Sequence, residues 1–170
     1  MVEAFVFPKL QTERLYLREL TLDDSAALFS LFSNPEITRY MDIDPLESES
    51  ESVDIISFHL EDSGCRWGLF DQENGQLIGT AGYHRWRRGE INTAEIGYDL
   101  APAYWGKGVM QEALAPILKF GFDQMGLIII EAEVERENSR SIGLLRKIGF
   151  HLDLTRAEGQ PLDWYLLFKQ

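Results

Sequence analysis

Apolar and polar residues alternate through Leu15-Tyr16-Leu17-Arg18-Glu19-Leu20, the period-two pattern of a strand with one buried face. Thr21 and Asp23 are N-cap types and open a predicted helix over Asp24–Ser33. Asn34-Pro35 stops it, because the residue before a proline is pushed out of the helical region. In the second half of the stretch Met41–Asp62, Val53, Ile56 and Leu60 stand three and four apart, which predicts an amphipathic helix. Three strands follow, over Arg66–Asp71, Gln76–His84 and Thr93–Leu100. Glu73-Asn74-Gly75 predicts a hairpin turn between the first two, since Asn and Gly accept positive φ. Arg87-Arg88-Gly89-Glu90 predicts the next turn.

A long helix is expected over Gly108–Met125, with Met110, Ala113, Leu114, Ile117 and Gly121 as its buried stripe and a kink at Pro116. Ile128–Val134 is a continuous apolar-rich strand. Asn138 caps a helix over Ser139–Ile148, and Gly149 ends it. Phe150–Arg156 and Trp164–Lys169 close the chain as strands joined by a Gly159-Gln160-Pro161 turn. The order is β, two helices, three β, α, β, α, β, β. It describes a mixed α/β fold whose central sheet is largely antiparallel at its start. At 170 residues the chain is expected to form a single domain over 1–170.

Composition narrows the field. No apolar run reaches the roughly 18 residues that span a bilayer, so no membrane partner is expected. Met1–Leu10 carries Glu3 and lacks the basic-then-apolar order of a secretory signal. Cys65 is the only cysteine, which excludes an internal disulfide and any Cys-based zinc site and suggests a reduced, cytoplasmic setting. His59, His84 and His151 show no ligand spacing, so no metal site is expected. The net charge of −12 makes bulk nucleic acid a poor partner and a cationic one a good one. The same excess also serves solubility alone, and composition leaves both readings open.

The stretch richest in chemistry runs from Ile96-Gly97-Tyr98-Asp99-Leu100 through Tyr104-Trp105-Gly106-Lys107-Gly108 into Val109 and Met110. A strand ends, a loop with two glycines follows, and a helix begins. Glycines let backbone N–H groups approach a ligand closely, and a helix N-terminus adds partial positive charge, so the segment suits a pyrophosphate. It is not a P-loop, because Lys107 is followed by Gly108 rather than Ser or Thr. It is not a dinucleotide fingerprint, because Gln111 stands where the third glycine belongs. Taken alone, the loop equally describes a plain helix-capping turn.

Three blocks in register resemble the GCN5-related N-acetyltransferases (GNAT), in the subgroup of ribosomal-protein (RimJ/RimL-like) acetyltransferases. They are Thr12-Glu13-Arg14-Leu15-Tyr16-Leu17-Arg18, Tyr104–Leu114, and Asn138-Ser139-Arg140-Ser141 leading to Leu144-Leu145-Arg146-Lys147-Ile148-Gly149-Phe150. The resemblance implies a mixed, mostly antiparallel twisted sheet of about seven strands with helices on both faces. Acetyl-CoA would enter between two splayed strands, Thr93–Leu100 and Ile128–Val134. Backbone groups of Tyr98, Asp99 and Leu100 would hold the pantetheine arm. The amides of Trp105, Gly106, Lys107, Gly108, Val109 and Met110 would hold the pyrophosphate. Asn138 matches a cofactor-arm contact as well as a helix cap. Met110 departs from the small residue of the family loop.

The implied reaction is direct acetyl transfer to an amine in a ternary complex, driven in large part by positioning. Glu95, on the strand that carries the pantetheine, is the first candidate base, with His84 across the hairpin as the second. Leu145 stands where many members place an acidic tyrosine, and Ser141 matches a serine that serves the departing thiolate in some relatives. The acidic Met41–Asp62 stretch, with Glu47, Glu49 and Glu51, is expected to favour a cationic acceptor. Tyr40, Phe58, Trp67 and Trp86 are candidates for its lining, although aromatics at these spacings also serve as core. The acceptor reading stays open between a protein N-terminus and a small amine such as a polyamine, amino acid or antibiotic. A non-catalytic acyl-CoA sensor is the alternative of another class. Monomer and homodimer are both open.

Overall fold

The computed structural model describes residues 7–61, 65–156, 159 and 161–170, with the backbone alone at position 65. Its elements in chain order are β1 Leu10–Gln11, β2 Leu15–Glu19, α1 Ser25–Phe32, α2 Pro35–Thr38, α3 Glu49–Glu61, β3 Cys65–Asp71 and β4 Leu77–Arg87. They continue with β5 Thr93–Leu100, α4 Val109–Asp123, β6 Ile129–Glu135, α5 Ser139–Lys147, β7 His151–Leu152 and β8 Leu162–Phe168. The strands form one sheet in the order β1-β2-β3-β4-β5-β6-β8-β7. Every neighbouring pair is antiparallel except β5 and β6.

That exception creates the opening of the molecule. β5 and β6 pair over only three positions, Thr93↔Ile129, Ala94↔Ile130 and Glu95↔Glu131. Beyond Glu95, β5 stays with β4 as far as Gly79↔Leu100, while β6 stays with β8 as far as Glu135↔Leu162. The two strands therefore diverge like a V with Glu95 and Glu131 at its apex. The β6-side edge of β5 past the apex has no strand partner among the described residues, so no strand takes up its backbone groups there; the Leu100 carbonyl is held by the Trp105 indole.

Two cores cover the two faces of the sheet. On one, Leu114 and Ile117 of α4 and Leu145 of α5 pack with Leu17, Trp67, Leu69, Ile96 and Ile130. On the other, Leu28, Leu31 and Phe32 of α1 and Ile56 of α3 pack with Leu20 and Phe70. The predicted stripe of α4 is buried at every position, and the helix runs unbroken through Pro116. Met110 is 7% exposed and packs within the first core while also bordering the cavity at the loop.

Four local differences from the sequence pattern have physical causes. The sheet has eight strands rather than about seven, because Leu10–Gln11 adds an edge strand on β2. Asn34-Pro35 ends α1 but also begins α2: the Asn34 side chain accepts from the Glu36 N–H, and Pro35 takes the first helical position. The expected strand Phe150–Arg156 shrinks to β7, because Asp153 accepts hydrogen bonds from the N–H and hydroxyl of Thr155 and turns the chain. On α3, Ser52 and Ile56 are buried while Leu60 is 50% exposed. The Ser52 hydroxyl donates to the Ser25 and Glu49 carbonyls, so a satisfied polar residue takes the inner place. The predicted Gly159-Gln160-Pro161 turn includes Gln160, and the acidic stretch ends at Asp62; both residues lie outside those described.

Candidate active site

One cavity of about 320 Å³ lies where β5 ends, α4 begins and α5 passes opposite. Tyr98, Asp99, Leu100, Trp105, Gly106, Gly108, Val109, Met110, Asn138 and Ser141, all singled out from the sequence, line it together. Gly106 (φ 70°) and Gly108 (φ 73°) are both left-handed, a conformation that residues with a Cβ seldom adopt. Gly108 is the N-cap of α4, and the first turn of a 15-residue helix points unpaired N–H groups past it. The Trp105 indole donates to the Leu100 carbonyl at 2.7 Å and ties the loop to the strand end. The Arg140 guanidinium stacks 3.4 Å over the Trp105 ring, placing a cation on the same wall. Backbone donors, a helix terminus and a fixed cation make the chemistry of this cavity that of a polyanion seat. Lys107 is set apart. Its carbonyl accepts from Arg14 at 3.0 Å, and it borders a shallow depression on the other side of the loop.

A second cavity of about 590 Å³ opens on the opposite side of the V. Glu95 stands in its wall and is 7% exposed. Its carboxylate lies 3.1 Å from His84 Nε2 and accepts from Arg85 Nη1 at 2.9 Å. The same Arg85 nitrogen reaches Glu133 on β6 at 3.2 Å and so spans the V. Burial works to raise the Glu95 carboxyl, but His84 and Arg85 outweigh it and hold the group below the usual carboxylate range.

His84 faces Glu95 as its cross-strand partner, and Arg85 joins it because of a bulge in β4. The register passes from His84↔Glu95 to Arg87↔Thr93, one extra residue on β4, with Arg85 left-handed at φ 50°. The absence of a side chain at Gly97 lets the imidazole lie against β5. A Cβ there would stand 3.0 Å from His84 Cε1.

The two cavities share Tyr40, Met41, Tyr98, Asn138 and Ser141. Tyr98 and Ser141 face each other across this junction, with their oxygens 2.6 Å apart. Burial pushes the Tyr98 phenol up to about 12, so it keeps its proton, and either hydroxyl of the pair can donate to the other. Ser141 also holds the helix cap, its N–H donating to the Asn138 side chain at 3.2 Å. Leu145 is 1% exposed and belongs to the core, so α5 presents no phenol here. The Asp99 side chain points to the other face, fully buried between Thr80 and Arg66. Burial pushes its carboxyl up against the opposing pull of those two partners.

Of the aromatic candidates, Tyr40 and Phe58 line the second cavity. Trp67 is 0% exposed in the core and Trp86 bonds Asn92, so neither serves there. Glu47, Glu49 and Glu51 do not line it either. Glu49 accepts from the Ser25 hydroxyl, and Glu51 accepts from the N–H groups of Glu47 and Ser48 at the start of α3. The carboxylates of the acidic stretch that face the cavity are Asp42 and Asp54. Sequence reasoning did not single out Arg85, whose place depends on the bulge. It named Arg14 and Arg140 only within family-like blocks.

The family model described as "Acetyltransferase (GNAT) domain" matches residues 14–151. The chain is 38% identical over 149 residues to the uncharacterized N-acetyltransferase YoaA of Bacillus subtilis (strain 168), covering 85% of this chain and 84% of that one. It is 31% identical over 113 residues to the ribosomal protein uS5-alanine N-acetyltransferase of Escherichia coli (strain K12), covering 66% of this chain and 56% of that one. Among solved structures, Mycobacterium smegmatis RimJ in complex with CoA-disulfide superposes with a TM-score of 0.82 at 20% identity, over 95% of this chain and 87% of that one. That last likeness is one of fold.

Proposed function

The chain belongs to the GNAT N-acetyltransferases, and on that premise we propose that it carries acetyl from acetyl-CoA to a cationic primary amine, a basic protein N-terminus first among them. The observation that carries the reading is the pair of cavities meeting at Tyr98 and Ser141. A donor held by its pyrophosphate at the loop reaches the junction from one side. An amine reaches it from the other. The donor side fits the group by its chemistry: left-handed glycines, a free helix terminus, and Arg140 stacked beside them.

The acceptor side carries five carboxylates, Asp42, Asp54, Glu95, Glu133 and Glu135, against two guanidinium groups, Arg66 and Arg85. Both guanidinium groups are already engaged, by Asp99 and by the Glu95–Glu133 pair. The cavity is thus negative, and it favours an acceptor that brings positive charge.

In the transfer, the neutral amine nitrogen forms a bond to the thioester carbon, and the carbon–sulfur bond breaks with its electron pair on sulfur. The amine proton leaves through the Glu95–His84 pair to solvent. Glu95 is ionised throughout the neutral range and fixes the imidazole edge-on to β5. The free β6-side edge of β5 near Leu100 supplies the N–H that polarises the carbonyl. In the arrangement in which the Tyr98 phenol donates to Ser141 Oγ, the Ser141 hydrogen is left to meet the leaving sulfur.

The test is release of CoA thiol from acetyl-CoA with three acceptors: a peptide with a free N-terminus followed by basic residues, spermidine, and a neutral primary amine of similar size. The expected result is turnover on the basic peptide above the neutral amine, with mass spectrometry placing one acetyl group on the N-terminus. Preference for spermidine moves the acceptor to a small polyamine. Equal use of the neutral amine at low salt removes the cationic reading. No release with any amine, while CoA still binds, leaves a sensor.

A further inference from the structure

The Thr12-Glu13-Arg14 turn ahead of β2 is far in sequence from both cavities and lines neither, yet the strongest polar cluster near the loop is built from it. Glu112 lies in the first turn of α4, on the same helix end that would receive the pyrophosphate. One of its oxygens accepts from the Thr12 hydroxyl at 2.6 Å and from the Arg14 N–H at 2.8 Å. The other accepts from Arg14 Nε at 2.6 Å. The far arm of the guanidinium, Nη1, donates to the Lys107 carbonyl at 3.0 Å.

We infer that Arg14 is a positioning residue for the donor's pyrophosphate: it orients the loop peptide that binds the phosphate and neutralises the carboxylate beside it. The inference rests on the reading of this loop as the acetyl-CoA phosphate seat. Two arguments support it. The peptide that joins Lys107 to Gly108 is planar and trans, so its C=O and N–H point in opposite directions. Arg14 draws the Lys107 oxygen to the outer side of the loop. That turns the Gly108 N–H toward the inner side, where Gly106 and Gly108, but not Lys107, line the cavity.

The second argument is electrostatic. A carboxylate in the first turn of α4 would otherwise set a negative charge beside two more on the ligand. Burial works to raise the Glu112 carboxyl, but the Thr12 hydroxyl, the Arg14 N–H and the Arg14 guanidinium together hold it below the usual carboxylate range, and the guanidinium balances its charge. A lysine at 14 supplies the charge as a point but not the fork that reaches both Glu112 and Lys107.

The experiment uses the full chain and two donors, acetyl-CoA and S-acetylpantetheine, which shares the thioester and pantetheine but has no pyrophosphate. For Arg14→Gln the expected result is a KM for acetyl-CoA raised about tenfold, about the size expected when the guanidinium bond that orients the Lys107 carbonyl is lost along with the one to Glu112. Its kcat stays within twofold, and its kinetics with S-acetylpantetheine stay those of the parent. Arg14→Lys, which keeps the charge and guards against loss of folding, is expected to raise the acetyl-CoA KM by a smaller factor with the same donor selectivity. A KM for acetyl-CoA that does not move in either variant overturns the inference, and so does a loss of equal size with both donors. A parent enzyme that shows no preference for acetyl-CoA over S-acetylpantetheine overturns instead the phosphate reading beneath it.

Discussion

The two sides of the V, the proposed donor side and the proposed acceptor side, are built from different materials. The donor cavity is built largely of backbone: left-handed glycines, a helix end and a strand edge without a strand partner among the described residues, with Arg140 stacked on Trp105 and Arg14 bonded to the Lys107 carbonyl. The charged side chains of the acceptor cavity come from β3, β4, β5 and β6, where they are joined in ion pairs, and from Asp42 and Asp54, which stand apart from those pairs. Side-chain charges are free to vary without disturbing the sheet. On the proposed reading, donor use rests on the fold and acceptor choice on side chains, and substitutions on the two sides should separate accordingly.

The largest effect is expected on the acceptor side of the apex. Glu95→Gln should lower kcat about 100-fold, the lower range for loss of a general-base group, and leave CoA affinity by calorimetry within about twofold. A kcat close to the parent's would remove Glu95 from the chemistry. The same variant carries a stability prediction with a definite sign. The folded Glu95 carboxyl lies below its usual value, so its stabilisation is present above the unfolded value of about 4.3 and is lost as pH falls through the lower folded one. Thermal melts should show the parent above Glu95→Gln at pH 7, with the gap closing below about pH 4. A gap that widens on acidification would contradict the geometry with His84 and Arg85.

On the donor side Gly108→Ala forces a Cβ into the left-handed region, at a cost of about 1 kcal/mol. There is room for the methyl, since its nearest neighbour outside the loop is Arg14 Nη2 at 3.8 Å. The expected outcome is a KM for acetyl-CoA raised about fivefold to tenfold with kcat nearly unchanged, from peptides turned off their ligand. A fall in kcat at constant KM would move the loop's role from binding to chemistry.

At the junction, Tyr98→Phe and Ser141→Ala should each lower kcat severalfold, to about tenfold, as expected for one hydrogen bond to developing charge. If the phenol acts through the serine, the double variant should be no slower than the slower single one. Additive losses would mean that the two hydroxyls act separately.

How far the sequence showed these parts follows the same division. The donor side is local in the chain: one strand, one loop and one helix start in succession. β5 matches its predicted bounds at both ends, and α4 buries the stripe that its spacing indicated. Asn138 caps α5 as its residue type implied. The acceptor side is assembled from distant segments, and its decisive feature is a bulge. Hydrophobic period gives no sign that Arg85 turns left-handed, because the usual markers of positive φ, Gly and Asn, are absent there. It likewise places Leu60 inside α3, where the hydrogen bonds of Ser52 instead set which face is buried. The acidic stretch was visible as composition, but which carboxylates meet the cavity depends on the angle of α3. Glu49 and Glu51 are spent on local bonds, and Asp42 and Asp54 are the ones that look inward.

That assignment yields the smallest prediction and the sharpest one for acceptor choice. Asp42 and Asp54 line the acceptor cavity, are exposed to solvent, and have no ion-pair partner among the described residues. Solvent screens such charges, so each is worth little, and what it gives must fade with salt on the scale of a Debye length of about 8 Å at 0.15 M. The double change Asp42→Asn with Asp54→Asn should raise KM for a cationic amine about twofold to threefold at low ionic strength. The difference should vanish near 0.5 M salt, where the screening length falls to about half. A neutral amine should be used as before at both salt concentrations, and the KM for acetyl-CoA should not rise. If the neutral amine loses as much as the cationic one, the two aspartates shape the cavity rather than charge it. Recognition of the acceptor would then rest on Tyr40 and Phe58 at its wall, and the donor and acceptor sides would differ in shape more than in charge.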